Sequence, residues 1–316
     1  MTKVGVSVVI CSYTEERLKD ILEAVNSVLA QTLKPDEVIV AVDHNQKLLH
    51  RLKSELPSQV SVILNEGARG SSGTRNCGIR AAAGQFLACA DDDVVAEPNW
   101  LENLIAAFND SRVVAVAGRA TPLWPTDKPP LWFPEEFDFI LGCTEHKKLV
   151  MGPNNEVRNV TSCNAAFRRE VFETVGFWEA SLGRCEAWTK TLDPIGGEEA
   201  EFCLRVKSMM PDGAIVYRPE ALVHHKVTPQ RATLKYVFNF CLREGVTRAM
   251  IRRIVSQYGR KPLAAEGMFL RWLLFRSLPR RLRTFYKPAS VAQTVVITTN
   301  LSLMGTGYLL GRLRYR

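Results

Sequence analysis

The stretch GSSGTRNCGIRAAAGQFLACADDDVVAEPNWL, residues 70–101, contains in order the parts from which the fold can be argued. Gly73–Ala83 is rich in small residues and reads as a helix, Gln85–Ala90 as a strand apolar at consecutive positions, and Trp100–Phe108 as another helix. A strand apolar on both faces must be covered on both, which is the property of parallel sheets flanked by helices. Asp91, Asp92 and Asp93 follow that strand directly, at the carboxyl end where open α/β sheets bind ligands.

Working toward the amino terminus, VSVVICS at 6–12 is a second continuous apolar run. Leu18, Ile21, Leu22, Val25, Val28 and Leu29 then recur at helical spacing, and Glu37–Val42 and Val60–Leu64 read as further strands. This alternation predicts a doubly wound, mostly parallel α/β sheet. Toward the carboxyl terminus, Val113–Ala117 is one more strand. TPLWPTDKPPLWFPEEF at 121–137 then reads as a loop offering an aromatic contact surface. A second half covers roughly 160–228. The expected organisation is one catalytic domain over 1–228, with a nucleotide-binding half at 1–118 and an acceptor half at 119–228, followed by a basic helical appendage at 229–316.

Charge separates that appendage from the body. Residues 229–316 hold 17 lysines and arginines against Glu244 and Glu266, a net of +15; with +8 on the whole chain, the preceding 228 residues carry −7. Arginines interleaved with Phe269, Leu270, Trp272, Leu273, Leu274 and Phe275 have the composition of an interfacial amphipathic helix. Residues 291–311 carry no charge and are long enough to span about 30 Å of hydrocarbon, although their threonines make them only weakly apolar. Membrane contact is the expectation, either along the surface or across it, with a buried helical hairpin as the alternative. No nucleic-acid reading motif accompanies the basic residues.

Eight cysteines show no metal or redox spacing and read as free thiols, with Cys11 and Cys89 as core residues in apolar strands. With no secretory signal in the opening residues, a reducing compartment is expected. The tripeptides at Asn159 and Asn300 that match a glycosylation acceptor are then coincidental. GSSGTRNCG is not the glycine fingerprint of a dinucleotide fold and lacks a phosphate-loop lysine. Three adjacent carboxylates repel one another unless a cation intervenes, and hard oxygens on a short loop suit Mg²⁺ or Mn²⁺. A solvated acidic turn before Pro98 is the other reading of an isolated triplet.

Together with VSVVICSYTEE, VIVAVDHN at 38–45 and GGEEAEFCLRV at 196–206, the central stretch resembles the family 2 glycosyltransferases of the GT-A fold over about residues 5–228. The resemblance implies inverting transfer of a sugar from a nucleoside diphosphate-sugar donor with a divalent metal. It assigns Tyr13, Asp43 and Arg75 to the nucleotide, Asp91 or Asp92 to the ribose, and Asp93 to the metal with Asp91 and His225 nearby. Glu199 matches the general base. The family commonly has Gly-Glu-Asp there, whereas this chain has Gly197-Glu198-Glu199, so the base reaches one methylene further and Glu198 is a possible substitute. Asn164 matches a segment that borders the acceptor. Arg231 could clamp a diphosphate and Trp188 could stack on a sugar.

The expected partners are a nucleotide-sugar, a saccharide or lipid-linked acceptor and the cytoplasmic face of a membrane, without nucleic acid. The rivals are a silent scaffold that binds anionic surfaces through its tail and a nucleotidyltransferase. A nucleotidyltransferase should show an early glycine-rich phosphate loop where this chain has SYTEE.

Overall fold

The computed structural model describes residues 5–144, 151–184, 193–256 and 264–315. Its centre is an eight-stranded sheet of β1 (Val6–Ser12), β2 (Glu37–Asp43), β3 (Val60–Asn65), β4 (Phe86–Asp91), β5 (Val94–Ala96), β6 (Val113–Leu123), β7 (Asn164–Arg168) and β8 (Ala214–Lys226), in the order β3-β2-β1-β4-β7-β6-β8-β5. β1, β2, β3 and β4 are parallel, as are β6 and β8. β7 runs antiparallel between β4 and β6, and β5 antiparallel on β8. The expected α/β sheet, mostly parallel, is therefore present. The reversed β7 and the short β5 lie where the apolar pattern alone gives no direction.

Strand alternation divides the core between two faces. Val6, Val8 and Ile10 of β1 pack with α1 (Leu18–Leu29), α2 (Gln46–Glu55) and α4 (Trp100–Ala106). Val9 faces the other way, toward α3 (Ser71–Ala81), α5 (Arg169–Val175) and α6 (Glu198–Met209), where Phe167, Phe172, Trp178 and Phe202 form one aromatic cluster. Because both faces are covered, nearly every β1 and β2 residue is buried. The parallel register brings Cys11 beside Asp91 and Asp43 beside Asn65, so the carboxyl ends of β1 to β4 open on one side.

The carboxyl-terminal region is helical: α7 (Leu234–Val255), α8 (Ala264–Trp272), a π turn Leu273–Ser277 leading into α9 (Leu278–Arg283), and α10 (Pro288–Arg314). Residues 291–311 lie within α10, which packs along α7 through glycines: a Cβ on Gly307 would stand 1.9 Å from the Leu242 carbonyl, and one on Gly245 2.1 Å from that of Met304. Only glycine permits backbones this close. Among the described residues no helix is long and apolar enough to cross a membrane, so the spanning reading of 291–311 gives way to a helix packed on its neighbour.

The tail is docked, not dangling. Arg281 is buried and donates to both Glu136 oxygens, at 2.5 and 2.8 Å, and Arg158 reaches Glu266 at 2.6 Å. Trp124, Phe133 and Phe137 of the proline-rich stretch are buried against Val237, Phe240, Leu273 and Ile297, which corrects the reading of that stretch as an aromatic contact surface. Trp272 also turns inward, whereas Phe275 is 75% exposed.

Candidate active site

The carboxyl ends of the strands open into a cleft of about 1010 Å³, roofed by α7. Tyr13, Asp43, Arg75, Asp91, Asp92, Asp93, Glu198, Glu199, His225 and Arg231 all line it. Asn164 does not. Its buried amide accepts from Trp100 Nε1 at 2.8 Å and donates to the Arg119 and Ala221 carbonyls at 2.8 and 2.9 Å, so it joins α4, β6 and β8 from within. The segment expected to border the acceptor reaches the cleft through Thr161, Ser162 and Cys163, whereas Asn164 itself lies behind it. Trp188 lies outside the described residues.

At the β1–β2 end, Tyr13 projects from the strand end with the Arg17 guanidinium 5.5 Å from its ring centre. Asp43 accepts from Gly70 N–H at 2.9 Å and Asn65 Nδ2 at 3.0 Å and lies 2.8 Å from His44 Nδ1. These bonds fix a carboxylate at the mouth of β2. Cys11 is only half-buried and lines the cleft, so it is less interior than its apolar run suggests, whereas Cys89 is fully buried. Among the described residues no cysteine forms a disulfide.

The three aspartates diverge because Asp91 ends β4 while Asp92 and Asp93 form the turn into β5. Asp91 accepts from Arg75 at 3.1 Å. Asp92 points inward to Arg17 at 2.9 Å; burial first, and then the neighbouring Asp93, push its carboxyl up to about 7 against the pull of Arg17. Asp93 is also buried, which disfavours its charge, but His225 and then Arg17 and Arg231 outweigh that and hold it below the usual carboxylate range. Its Oδ1 lies 3.0 Å from His225 Nε2, its Oδ2 2.9 Å from Arg17, and Arg231 is 3.7 Å away. Ligand atoms of Asp91, Asp93 and His225 all fall within 4.8 Å of one another. His225 is placed by β8, whose next residue back, His224, faces away to Glu97 at 2.7 Å.

The start of α6 also lines the cleft. Gly197 caps that helix with φ of 102°, and a Cβ there would meet Thr247 at 2.6 Å and Ile251 at 2.7 Å, so glycine both makes the turn and lets α7 close over it. Glu198 is buried, accepts from Ser71 Oγ at 3.1 Å and lies 3.9 Å from Arg75. Burial and then Glu199 raise it to about 7, with Arg75 opposing. Glu199 accepts from Ser162 Oγ at 2.7 Å; burial disfavours its charge, yet Arg75 and the Ser162 hydroxyl keep its pKa below the ordinary value.

Arg17, Ser162 and the α7 residues Tyr236 and Phe240 line the cleft without having been singled out from sequence. Arg17 follows SYTEE directly, and a cation five residues past a strand end, facing an acidic triplet, was the available signal. Nothing local marks Ser162 or α7, whose approach depends on tertiary packing.

Residues 7–176 match the model of Glycosyl transferase family 2. The glucosyl-dolichyl phosphate glucuronosyltransferase of Haloferax volcanii is 31% identical over 98% of this chain and 96% of its own length. The fold resembles the mannosyltransferase of Pyrobaculum calidifontis solved with GDP-Man and Mn²⁺ (TM-score 0.59, 14% identity, 98% of this chain and 86% of that one). It also resembles GalNAc-T7 solved with UDP, GalNAc and Mn²⁺ (TM-score 0.53, 16% identity, 88% of this chain and 57% of that one). With a family match over more than half its length and a relative aligned nearly end to end, this chain belongs to glycosyltransferase family 2 and is a glycosyltransferase.

Proposed function

We propose that the chain transfers a sugar, with inversion, from a nucleoside diphosphate-sugar to a hydroxyl of a saccharide carried on a polyprenyl phosphate at a membrane surface. The observation that carries this reading is the placement of two groups in one cleft: Asp91, Asp93 and His225 together, and Glu199 at the start of α6. Inversion by in-line attack needs leaving-group stabilisation on one side of the sugar and a proton acceptor on the other.

On the donor side, Tyr13 offers a ring for the base and Asp43 an acceptor for a base N–H. The donor set of two carboxylates and an imidazole fits a divalent ion such as Mn²⁺ or Mg²⁺, and the buried His225 Nδ1 has no partner among the described residues. Such an ion, held by Asp91, Asp93 and His225, would supply charge stabilisation to the departing diphosphate. Arg17 and Arg231, already beside Asp93, add two cations at that end.

On the acceptor side, Glu199 takes the hydroxyl proton. Its lowered pKa keeps it ionised at neutral pH, and Ser162 orients it. Glu198 sits deeper, tied to Ser71, and serves the donor wall. The lipid-linked acceptor rests on the Haloferax relative, whose name specifies a dolichyl phosphate glucoside. It is also supported by Phe139, Phe240, Met268, Phe269 and Met304, which make one end of the cleft apolar where α7, α8 and α10 meet it.

Membrane docking, peripheral in kind, is supported by α8 to α10. Leu274, Phe275, Leu282, Phe285 and Tyr286 are exposed among the exposed Arg271, Arg276, Arg280, Arg283 and Lys287. Exposed aromatics beside exposed cations match an anionic lipid surface. Free thiols support the cytoplasmic side of that membrane.

Replacing Glu199 by Gln tests the reading. The nearly isosteric amide should leave nucleotide-sugar affinity within about twofold while lowering turnover about 100-fold or more. Full turnover in the variant would reject Glu199 as the base.

A further inference from the structure

Arg184 lines the cleft beside the first residue of α3. Its backbone is fixed by a reciprocal pair: Ser71 N–H donates to the Arg184 carbonyl at 2.8 Å, and Arg184 N–H donates to Ser71 Oγ at 2.9 Å. Its side chain passes Gly196, with Nε 3.8 Å from the position a Cβ there would occupy, and its guanidinium lies 5.5 Å from the Phe240 ring centre. Arg184 is thus held over the space between α3, the glycines before α6, and α7.

Among the described residues no carboxylate comes within ion-pair distance of Arg184, whereas Arg17 and Arg75 each pair with two and Arg231 with Asp93. Arg184 is exposed at the cleft wall; desolvation by the protein around its guanidinium opposes its charge, but Tyr236, Glu198, Glu199 and Asp91 lie near enough to raise its pKa above the ordinary arginine value, so it is a permanent cation. A guanidinium carries five donors and no acceptor, in a fork that matches a carboxylate. The diphosphate end of the cleft already has Arg17, Arg231 and the metal-ligand group. Arg184 stands instead beside Glu198 and Glu199, where the transferred sugar must lie for in-line attack.

We propose that the sugar transferred is a hexuronic acid and that Arg184 selects it by binding its carboxylate. This rests on the donor site described above. The neighbouring phenyl face of Phe240 would exclude water from one side of the pair, which strengthens a charge-assisted bond.

The test uses the full chain with Mn²⁺ and measures dissociation constants by calorimetry for UDP, UDP-glucose and UDP-glucuronic acid, and in parallel for GDP, GDP-mannose and GDP-mannuronic acid. In the series whose free nucleotide binds, the uronate should bind about tenfold or more tighter than its neutral counterpart. Arg184→Met should reduce that preference to less than about threefold while leaving free nucleotide within about twofold, and Arg184→Lys should retain part of it. Equal binding of uronate and neutral sugar by the wild-type chain overturns the proposal without need of a variant. So does a loss of free nucleotide affinity in Arg184→Met as large as the loss for the uronate, which would make Arg184 a diphosphate clamp. Failure of both free nucleotides to bind would instead overturn the donor site itself, and the proposal with it.

Discussion

Glu198 and Glu199 are adjacent in sequence yet are held by different segments: Glu198 Oε1 accepts from Ser71 Oγ of α3 at 3.1 Å, and Glu199 Oε1 from Ser162 Oγ ahead of β7 at 2.7 Å. Successive residues at a helix start point about 100° apart, so one turn of α6 can serve donor and acceptor sides together. Their protonation divides in the same way, with Glu198 raised to about 7 and Glu199 lowered.

That division gives a pH test of which glutamate is the base. A base must be ionised, so activity falls as pH drops through its pKa. With Glu199 as base, the acid limb of kcat/KM should lie below the ordinary glutamate range, in the direction of its lowered pKa. An acid limb near pH 7, abolished by Glu198→Gln, would transfer the role to Glu198.

The same shift bears on stability. Glu198 titrates higher in the folded chain than its ordinary 4.5, so its contribution to stability is full below that value and is lost as pH rises through about 7. Glu198→Gln should therefore gain stability relative to wild type at pH 8 compared with pH 5, as read from urea midpoints at the two pH values. The opposite ordering would mean that Arg75 holds Glu198 ionised throughout.

Asn164 makes a structural prediction. Asn164→Ala leaves Trp100 Nε1–H and two buried carbonyls without their partner, and each orphaned group costs about 1–3 kcal/mol, so a loss of about 3 kcal/mol or more in unfolding free energy is expected. A stable variant with impaired acceptor use would restore the role that its sequence context implied.

Docking through α8 to α10 can be tested on vesicles. Each Lys or Arg near an anionic surface contributes about 1 kcal/mol, so Arg280→Glu with Arg283→Glu should weaken cosedimentation with phosphatidylglycerol vesicles by about tenfold or more. Phe275→Ser with Tyr286→Ser should weaken it in high salt as well, because apolar burial is not screened. Wild-type protein that stays in the supernatant would remove the membrane from the account.

The sheet was legible because β1, β2 and β4 are buried on both faces and so keep uninterrupted apolar runs. The acids at their carboxyl ends were legible for the same reason: they break those runs. Asn164 was misplaced because a polar residue in an apolar segment can equally serve a ligand or a buried backbone, and only the neighbours decide. Trp272 shows the limit in the tail, where a basic aromatic composition cannot tell the face against Phe269 from the face that leaves Phe275 in solvent. The closeness of α7 to α10 was carried by Gly245 and Gly307, whose partners are far apart in sequence.

The most direct measurement is the anomeric configuration of the product, read by NMR after the full chain is given Mn²⁺, a nucleoside diphosphate-sugar and a glycoside carried on a polyprenyl phosphate. The account predicts a new glycosidic bond of configuration opposite to the donor's, formed in wild type and lost in Asp93→Ala and in EDTA. A product that retains the donor's configuration, or transfer that survives EDTA undiminished, would contradict it.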